Sequence, residues 1–382
     1  MKIAIVTEYF PRSRNCETRG GVETRCFYTA RELTKRHNVT IISSQELSTP
    51  KEQTFDGIRI IRCGKPKEHC QTGAIKERFS FIKEAYKIGS KLDLDLIEGD
   101  DFISYLPAYY IAKKKKIPCI AWYNDVWLGR WINNIGLLQG IMGELLERFI
   151  LSRNWFSFLV NSNFTFKNML SYGIKKSKLK LIYCGVDIEK CESLPVEKDE
   201  EPTICCISRL VKYKKIDILI KAISYLRKEI PNIRCNIIGT GPELEKLKRL
   251  VKEMNLENNV KFLGFIEKHD DVLKIIKKSR IFCLPSVVEG FGIVVIEAMA
   301  CSTPYVCSNI PALREVTADG TGGMLFEKDN PEDLARKTLL LLREDELYDK
   351  CIRDGLKLVQ KYNWENIAKQ TEMFYEEARS KL

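Results

Sequence analysis

Short apolar runs alternate with longer amphipathic segments along nearly the whole chain. Strand-like runs are predicted in the first half at residues 3–6, 38–43, 58–62, 94–98, 118–123, 158–161 and 179–183. They are predicted in the second half at residues 203–207, 234–238, 261–263, 281–284 and 305–307. Helical periodicity lies between most of them, notably over 22–36, 102–115 and 137–151. This alternation predicts an α/β fold of parallel sheets covered by helices on both faces.

A charged stretch with two prolines, residues 193–202, interrupts the alternation, and we place a linker there. The predicted domains are therefore residues 1–190 and 191–363, followed by a last helix at 364–382. A length of 382 residues suits two domains of ordinary size. Ligands of doubly wound domains bind at the carboxyl ends of the strands, so we expect a cleft between the two domains.

Residues 137–151 carry apolar side chains at helical spacing, and Trp127 and Trp131 lie just before them. This spacing predicts a helix that faces the core of the first domain. A helix that touches a membrane is the alternative.

The net charge of +11 is unevenly distributed along the chain. Residues 1–185 hold 30 Lys and Arg against 18 Asp and Glu, whereas the remainder is nearly balanced. A positive first half favours an anionic partner, such as a membrane leaflet or a phosphorylated lipid carrier, although a lysine-rich solvated surface would give the same count. The interleaved aromatic and basic pattern of a nucleic-acid binder is missing, so no nucleic acid is expected.

Fourteen cysteines occur without a CxxC pair or the spacing of metal ligands. Several lie within strand-like runs, where cysteine acts as a small apolar residue. We therefore expect a reducing cytoplasm and no structural metal. The chain opens on a short apolar run typical of a buried strand rather than a signal peptide, and no apolar stretch is long enough to span a bilayer.

The segment 285–311 carries the most chemistry. Glu289 and Glu297 stand eight positions apart, and Gly290, Phe291 and Gly292 should form the turn from a strand into a helix. The glycines allow a ligand to approach the main chain, and N–H groups at the helix start (Gly292, Ile293 and Val294) can hold a phosphate. Diphosphate at this helix start, with carboxylates placed for sugar hydroxyls, would make a nucleotide-sugar site. A buried strand followed by a helix with solvated glutamates is the alternative.

This segment resembles the signature of the retaining, family 4-type glycosyltransferases of the GT-B fold, also called glycosyl transferases group 1. Their pattern is a Glu, seven residues and a second Glu, with Gly-Phe-Gly after the first. A Gly-Thr-Pro follows downstream in the family, where this chain has Ser302-Thr303-Pro304. The resemblance implies two Rossmann-like doubly wound domains facing a central cleft, with the donor on the second domain and the acceptor on the first. It also implies that the last helix returns to the first domain.

Two cations follow the strand at 203–207. Arg209 and Lys214 lie on the loop that enters the next helix, where they could hold a diphosphate and stabilise the charge that grows on it as it leaves. The family has a glycine after this lysine, where this chain has Lys215. A basic solvated loop is the alternative.

Two glycine pairs match further family positions. Gly239 and Gly241 follow the strand at 234–238 and are expected near the nucleotide. Gly20 and Gly21 precede the first helix, and their main-chain N–H groups are expected to contact the donor diphosphate or the acceptor. The preceding loop, residues 11–19, is a candidate mobile loop for an anionic acceptor because it carries three arginines: Arg12, Arg14 and Arg19.

Asn124 and Asp125 depart from the family pattern, which has His-Asp after this strand. An imidazole can exchange protons near neutral pH, whereas an asparagine can only form hydrogen bonds. Either Asp125 or the Asn124 amide takes over the contact with the transferred sugar, or that role is absent.

The resulting prediction is a cytoplasmic glycosyltransferase of the retaining hexosyltransferase type. Glu289 would contact the transferred sugar, Glu297 the ribose hydroxyls, and Arg209 and Lys214 the diphosphate. The co-substrate would be a UDP- or GDP-sugar, without cofactor or metal, and the acceptor a cell-surface or lipid-linked glycan at the inner face of an anionic membrane. Three alternatives stay open: another GT-B enzyme such as a nucleotide-sugar epimerase, a basic nucleic-acid-binding protein, and a non-catalytic partner subunit.

Overall fold

A computed structural model describes residues 1–14, 18–70 and 73–381. The chain forms two compact units, the first made of Met1–Tyr183 together with Trp364–Leu382 and the second of Cys184–Asn363. Each unit contains one sheet with helices packed around it. The predicted α/β class with two Rossmann-like domains is confirmed.

The sheet of the first unit has eight strands in the order β3-β4-β2-β1-β5-β6-β7-β8. Among the strands that the structure describes in this sheet, only β3 runs antiparallel to its neighbour. The strands are β1 (Lys2–Thr7), β2 (Asn38–Glu46), β3 (Glu52–Phe55), β4 (Ile58–Lys67), β5 (Leu96–Gly99), β6 (Cys119–Tyr123), β7 (Ser157–Val160) and β8 (Leu179–Leu181). Five of the six residues of β1 are buried, as expected for a central parallel strand covered on both faces.

In the described part of the first unit these strands are connected by α1 (Gly21–Leu33), α2 (Ile75–Gly89), α3 (Tyr105–Lys115), α4 (Trp131–Ile135), α5 (Leu137–Leu151) and α6 (Asn163–Ser171). A 3-10 turn at Lys176–Lys178 leads into β8. The apolar faces of α2 and α3 pack on the sheet and form one core with residues such as Ile97 and Ala121.

The sheet of the second unit is wholly parallel, in the order β11-β10-β9-β12-β13-β14. Its strands are β9 (Thr203–Ile207), β10 (Arg234–Ile238), β11 (Val260–Gly264), β12 (Ile281–Leu284), β13 (Tyr305–Ser308) and β14 (Gly323–Phe326). All four residues of β12 are buried at the centre. The chain order reverses direction across the sheet between β9 and β12, which is where ligands bind in doubly wound folds.

The second unit contains α7 (Ile188–Ser193), α8 (Ile216–Glu229), α9 (Leu244–Glu253), α10 (His269–Lys278), α11 (Ile293–Ala300), α12 (Pro311–Val316), α13 (Pro331–Arg343) and α14 (Asp345–Val359). Two 3-10 turns add to these, at Lys212–Lys214 and Gln360–Tyr362.

The stretch predicted as a linker belongs to the second unit. The division falls between Tyr183 and Cys184 rather than at residue 190, and residues 193–202 pack against the second unit. Lys277 donates to three main-chain carbonyls at the end of α7, and Lys198 donates to Thr303 and to the carbonyl of Ser279. Lys198 and the main-chain carbonyl of Leu194 in the predicted linker thus form contacts within the second unit.

The last helix, α15 (Trp364–Ser380), belongs to the first unit although it follows the second in sequence. Trp364 stacks on Tyr28 of α1 with ring centroids 5.4 Å apart. Tyr375 donates to the buried carboxylate of Glu98 over 2.6 Å. These contacts bury the inner face of α15 against α1 and β5.

Helix α5 contradicts the prediction that it faces the core. Six of its large apolar side chains are exposed, and its buried positions are Gly140, Gly143, Glu147, Ile150 and Leu151. Within the described ranges, no helix combines the length and the apolarity needed to cross a bilayer.

Candidate active site

Two cations and an unpredicted tyrosine lie on the loop between β9 and α8. Tyr213 lies between them: Arg209 donates to its hydroxyl over 2.6 Å, and the Lys214 ammonium lies 5.7 Å from the ring centroid. Lys215 ends the 3-10 turn with a φ of +52°, a left-handed conformation that favours glycine. The glycine of the family pattern therefore matches a backbone requirement, which this chain meets with a lysine.

The glycine loop, residues 239–242 after β10, packs against the loop that carries Arg209. The N–H of Leu210 donates to the carbonyl of Thr240, and the N–H of Glu243 donates to the carbonyl of Leu210. Gly239 has a φ of +130°, and a Cβ there would lie 1.9 Å from the carbonyl oxygen of Ser208. Gly241 is equally close-packed, since its Cβ would lie 2.4 Å from the Leu210 carbonyl oxygen. Because neither glycine has a Cβ, the backbone of the glycine loop can lie in direct contact with the backbone of the Arg209 loop.

The loop after β12 joins the Arg209 loop through two contacts. The Lys214 ammonium lies 2.5 Å from a carboxylate oxygen of Glu289, with both side chains only about one-tenth exposed. The N–H of Val287 donates to the carbonyl of Tyr213 over 2.9 Å. The structure thus brings Arg209, Lys214 and Glu289 together at the carboxyl ends of β9 and β12.

Helix α11 begins at Ile293, directly after the Gly290–Phe291–Gly292 turn. Gly292 holds the cap position with a φ of +97°, which a side chain would strain. The ring of Phe291 is buried edge-on against Tyr362 and anchors the turn. Ile293 and Val294 are partly exposed in the first turn of the helix. The predicted turn and helix start are therefore present.

Glu297 lies in the middle of α11 and is nearly buried. One of its carboxylate oxygens lies 3.0 Å from Nε2 of His269, the first residue of α10. The sequence contains no signal for this pairing, because the two residues come from different helices. His269 holds the Glu297 carboxylate from the α10 side.

Asn124 and Asp125 lie in the first unit, after β6. The amide oxygen of Asn124 accepts from Asn161 over 2.5 Å, and its side chain is exposed. Asp125 accepts from the N–H of Val126 and lies 3.2 Å from the guanidinium of Arg130. The Asp125 carboxylate is therefore ion-paired with a cation of its own unit.

Gly20 and Gly21 are exposed at the start of α1. The arginines before them are paired within the unit: Arg12 and Arg19 contact Glu46, and Arg14 lies 3.6 Å from Asp56. Residues 15–17 of the predicted acceptor loop lie outside the described residues.

Three acidic residues lie at the end of β5: Glu98, Asp100 and Asp101. From the sequence they could bind acceptor hydroxyls, with a helix cap by Asp100 or Asp101 as the alternative, and the structure contradicts acceptor binding by Glu98 and Asp100. Both carboxylates are buried and paired with the guanidinium of Arg25, which is itself buried. Burial, and the neighbouring charge of Glu98, raise the pKa of Asp100 well above its ordinary value. These groups form an internal ion-pair cluster that an acceptor cannot reach.

Asp101, the next carboxylate, accepts from the N–H groups of Ile103 and Ser104 and so caps the turn before α3. Its capping role was the alternative to acceptor binding. Burial, followed by the charge of Glu8, raises the pKa of Asp101 to about 6.

Two family models cover most of the chain. One described as "Glycosyltransferase Family 4" matches residues 19–190, and one described as "Glycosyl transferases group 1" matches residues 188–358. A Campylobacter jejuni enzyme, N-acetylgalactosamine-N,N'-diacetylbacillosaminyl-diphospho-undecaprenol 4-alpha-N-acetylgalactosaminyltransferase, is 31% identical over 76% of this chain and 78% of its own length.

Solved structures share the fold over the full length. Sucrose-phosphate synthase from Thermosynechococcus elongatus has a TM-score of 0.84 at 20% identity, with all of both chains covered. Anabaena HepE, solved in complex with UDP and glucose, has a TM-score of 0.77 at 17% identity, covering 98% of this chain and 99% of its own. With both halves matched by family models, this chain belongs to the family 4, or group 1, glycosyltransferases.

Proposed function

We propose that this protein transfers a hexosyl group from a nucleotide diphosphate to an acceptor hydroxyl, with retention of the anomeric configuration. The observation that carries the proposal is the joining of two loops at the carboxyl edge of the second sheet. One loop presents Arg209 and Lys214, and the other presents Glu289 and leads into the Gly292 helix start. Cations beside a carboxylate suit a ligand that has both phosphates and hydroxyls.

In this proposal the donor, a UDP- or GDP-sugar, binds to the second unit. The exposed guanidinium of Arg209, held in place by Tyr213, neutralises the diphosphate, and the first N–H groups of α11 add to it. Lys214 and Glu289 are paired with each other in the structure. When the donor binds, the Lys214 ammonium turns to the diphosphate and the Glu289 carboxylate accepts hydrogen bonds from sugar hydroxyls. Glu297, oriented by His269, accepts from the ribose hydroxyls.

Transfer then proceeds on one face of the sugar. The acceptor oxygen forms a bond to the anomeric carbon while the bond from that carbon to the diphosphate oxygen breaks. The departing phosphate oxygen takes the proton of the acceptor hydroxyl. Arg209 and Lys214 stabilise the charge that develops on the leaving group, which is the role a metal ion fills elsewhere. We therefore expect activity to persist in a chelator.

The acceptor we propose is a lipid-linked or cell-surface glycan at the cytoplasmic face of an anionic membrane. Two observations support this: the C. jejuni relative is named for a diphospho-undecaprenol acceptor, and the first 185 residues carry a large excess of positive charge.

The test is turnover of UDP-, GDP- and ADP-sugars by the wild type, Glu289→Gln and Arg209→Ala. Loss of a transition-state charge donor should lower turnover on the order of a hundredfold. Product NMR would report the anomeric configuration. Equal rates for all three proteins would refute the site, sugar release without acceptor would favour an epimerase, and tight nucleotide binding without transfer would favour the non-catalytic subunit that Asn124 suggests.

A further inference from the structure

Helix α5 presents its apolar side to solvent and its charged side to the protein. The exposed side chains lie within roughly 140° of the helix circumference, and they are Leu137, Leu138, Ile141, Met142, Leu145 and Phe149. Leu138 is 76% exposed and Leu145 is 64% exposed. We call these six side chains the α5 face.

The opposite side of α5 is small and acidic. Gly140 and Gly143 allow close contact with α4, since a Cβ on either would lie within 2.6 Å of Ile132 or Trp131. Glu147 is buried and accepts hydrogen bonds from the Tyr123 hydroxyl, the Trp131 indole and the Trp127 N–H. These three hydrogen bonds to Glu147 fix the rotation of α5 about its own axis, so that the α5 face points away from the unit.

Arginines lie at the edge of the α5 face, whereas the carboxylates of the helix lie behind it. Both carboxylates of the helix are turned inward, because Glu144 accepts from the N–H of Gly129 and Glu147 is buried. Arg148 is largely exposed beside the face, 3.8 Å from the Glu144 carboxylate, and the Arg153 guanidinium lies 4.1 Å from the ring centroid of Phe149 at its end. An apolar strip edged by two arginines, with no exposed carboxylate on its own helix (residues 137–151, all of them described), matches the interface of an anionic bilayer.

A second copy of the chain fits this strip less well. The six side chains come from one helix of 15 residues. A stable protein interface buries roughly 800 Å² per partner, supplied by about 20–30 residues on each side. The strip is also a single convex helix edged by like charges, which would repel in a symmetric pair.

We propose that the α5 face inserts into the interfacial region of an anionic membrane and holds the first unit there. This specifies the membrane location that accompanies the proposed function, and it adds an apolar anchor to the attraction by net charge. High salt distinguishes the charge attraction from the apolar insertion. At 1 M salt the Debye length is about 3 Å, which removes most of the long-range attraction to the membrane and leaves the apolar insertion.

The experiment is flotation of the full-length protein with vesicles of phosphatidylcholine and 30% phosphatidylglycerol at 0.1 M and 1 M NaCl. The wild type should bind, and a clear fraction of that binding should survive 1 M NaCl. The double variant Leu138→Ser/Leu145→Ser should lose about tenfold in partitioning, because two apolar anchors are removed. Phe79→Ser is the matched control, since Phe79 is 63% exposed on α2 of the same unit and should leave binding unchanged.

Three results would overturn the proposal: complete release of the wild type at 1 M NaCl, equal binding by the double variant, or an equal loss in the Phe79 variant. A wild-type dimer in light scattering that the double variant turns into a monomer would overturn it in favour of a second copy. Unchanged thermal unfolding midpoints establish that the variants are folded. Because sugar transfer to a water-soluble acceptor is measured without vesicles, failure of the catalytic proposal would show separately.

Discussion

Replacing Gly239 by alanine should disturb the loop that carries Arg209 while leaving the arginine itself in place. The new Cβ would lie 1.9 Å from the Ser208 carbonyl oxygen, a backbone atom that cannot rotate away. Ordinary contact begins near 3.4 Å, so one of the two loops must move by about 1.5 Å. Because Leu210 is hydrogen-bonded to the glycine loop, Arg209 should move with it.

Two effects set the magnitude. Alanine in a left-handed conformation costs about 1 kcal/mol of folding free energy, and the clash adds to that. A displacement of about 1 Å at a charge-stabilising group can lower turnover on the order of a hundredfold. We therefore expect Gly239→Ala to lose turnover far beyond its loss of stability.

The assay compares turnover with the preferred nucleotide sugar and the free energy of unfolding in urea. Gly173→Ala is the matched control, because Gly173 has a φ of +84° with no atom within 4 Å of its Cβ position. It should lose about the same conformational free energy and keep its turnover. Wild-type turnover in Gly239→Ala, or an equal loss in both variants, would refute the link between the glycine loop and Arg209.

Three further predictions concern stability. Ser302 has a φ of +54°, so Ser302→Gly should raise the free energy of unfolding in urea by about 0.5 kcal/mol, and a loss would contradict the strain. Burial lowers the pKa of Lys198 to about 8, so between pH 8 and the ordinary lysine value the folded state binds fewer protons than the unfolded state. The stability of the wild type relative to Lys198→Met should therefore rise with pH across that window, by up to about 3 kcal/mol, and a constant difference would refute this. Arg25→Met leaves two buried carboxylates without their cation and should cost about 3–5 kcal/mol in urea unfolding, so a loss below 1 kcal/mol would count against the buried cluster.

The fold was predictable wherever strands are buried on both faces. Strands β9 and β12 have the predicted bounds because their apolar runs end at Ser208 and Pro285. The edge strands β3 and β14 were missed: β3 is largely polar, and β14 follows a turn in which Ala318 and Asp319 have positive φ. Such strands depend on pairing with a neighbour rather than on their own pattern.

Sequence reasoning found the charged residues of the site but not their partners. The pairing of Lys214 with Glu289 follows from the adjacency of β9 and β12, which residue spacing does not reveal. Tyr213 and His269 had no motif that marked them. The α5 face was misassigned because helical periodicity reports that one side is apolar, not which side faces the protein.

The placement of α15 has a consequence for synthesis. The second unit is continuous in sequence, whereas the first needs its last helix, which emerges about 180 residues after β8. At roughly 5–20 residues per second this gap is roughly 10–40 seconds on the ribosome. During that interval Tyr28 and the Glu98 carboxylate lack the partners that Trp364 and Tyr375 later provide. The nascent first unit should therefore stay incompletely packed for longer than the second unit. We expect it to be the unit that a chaperone binds until α15 has packed against it.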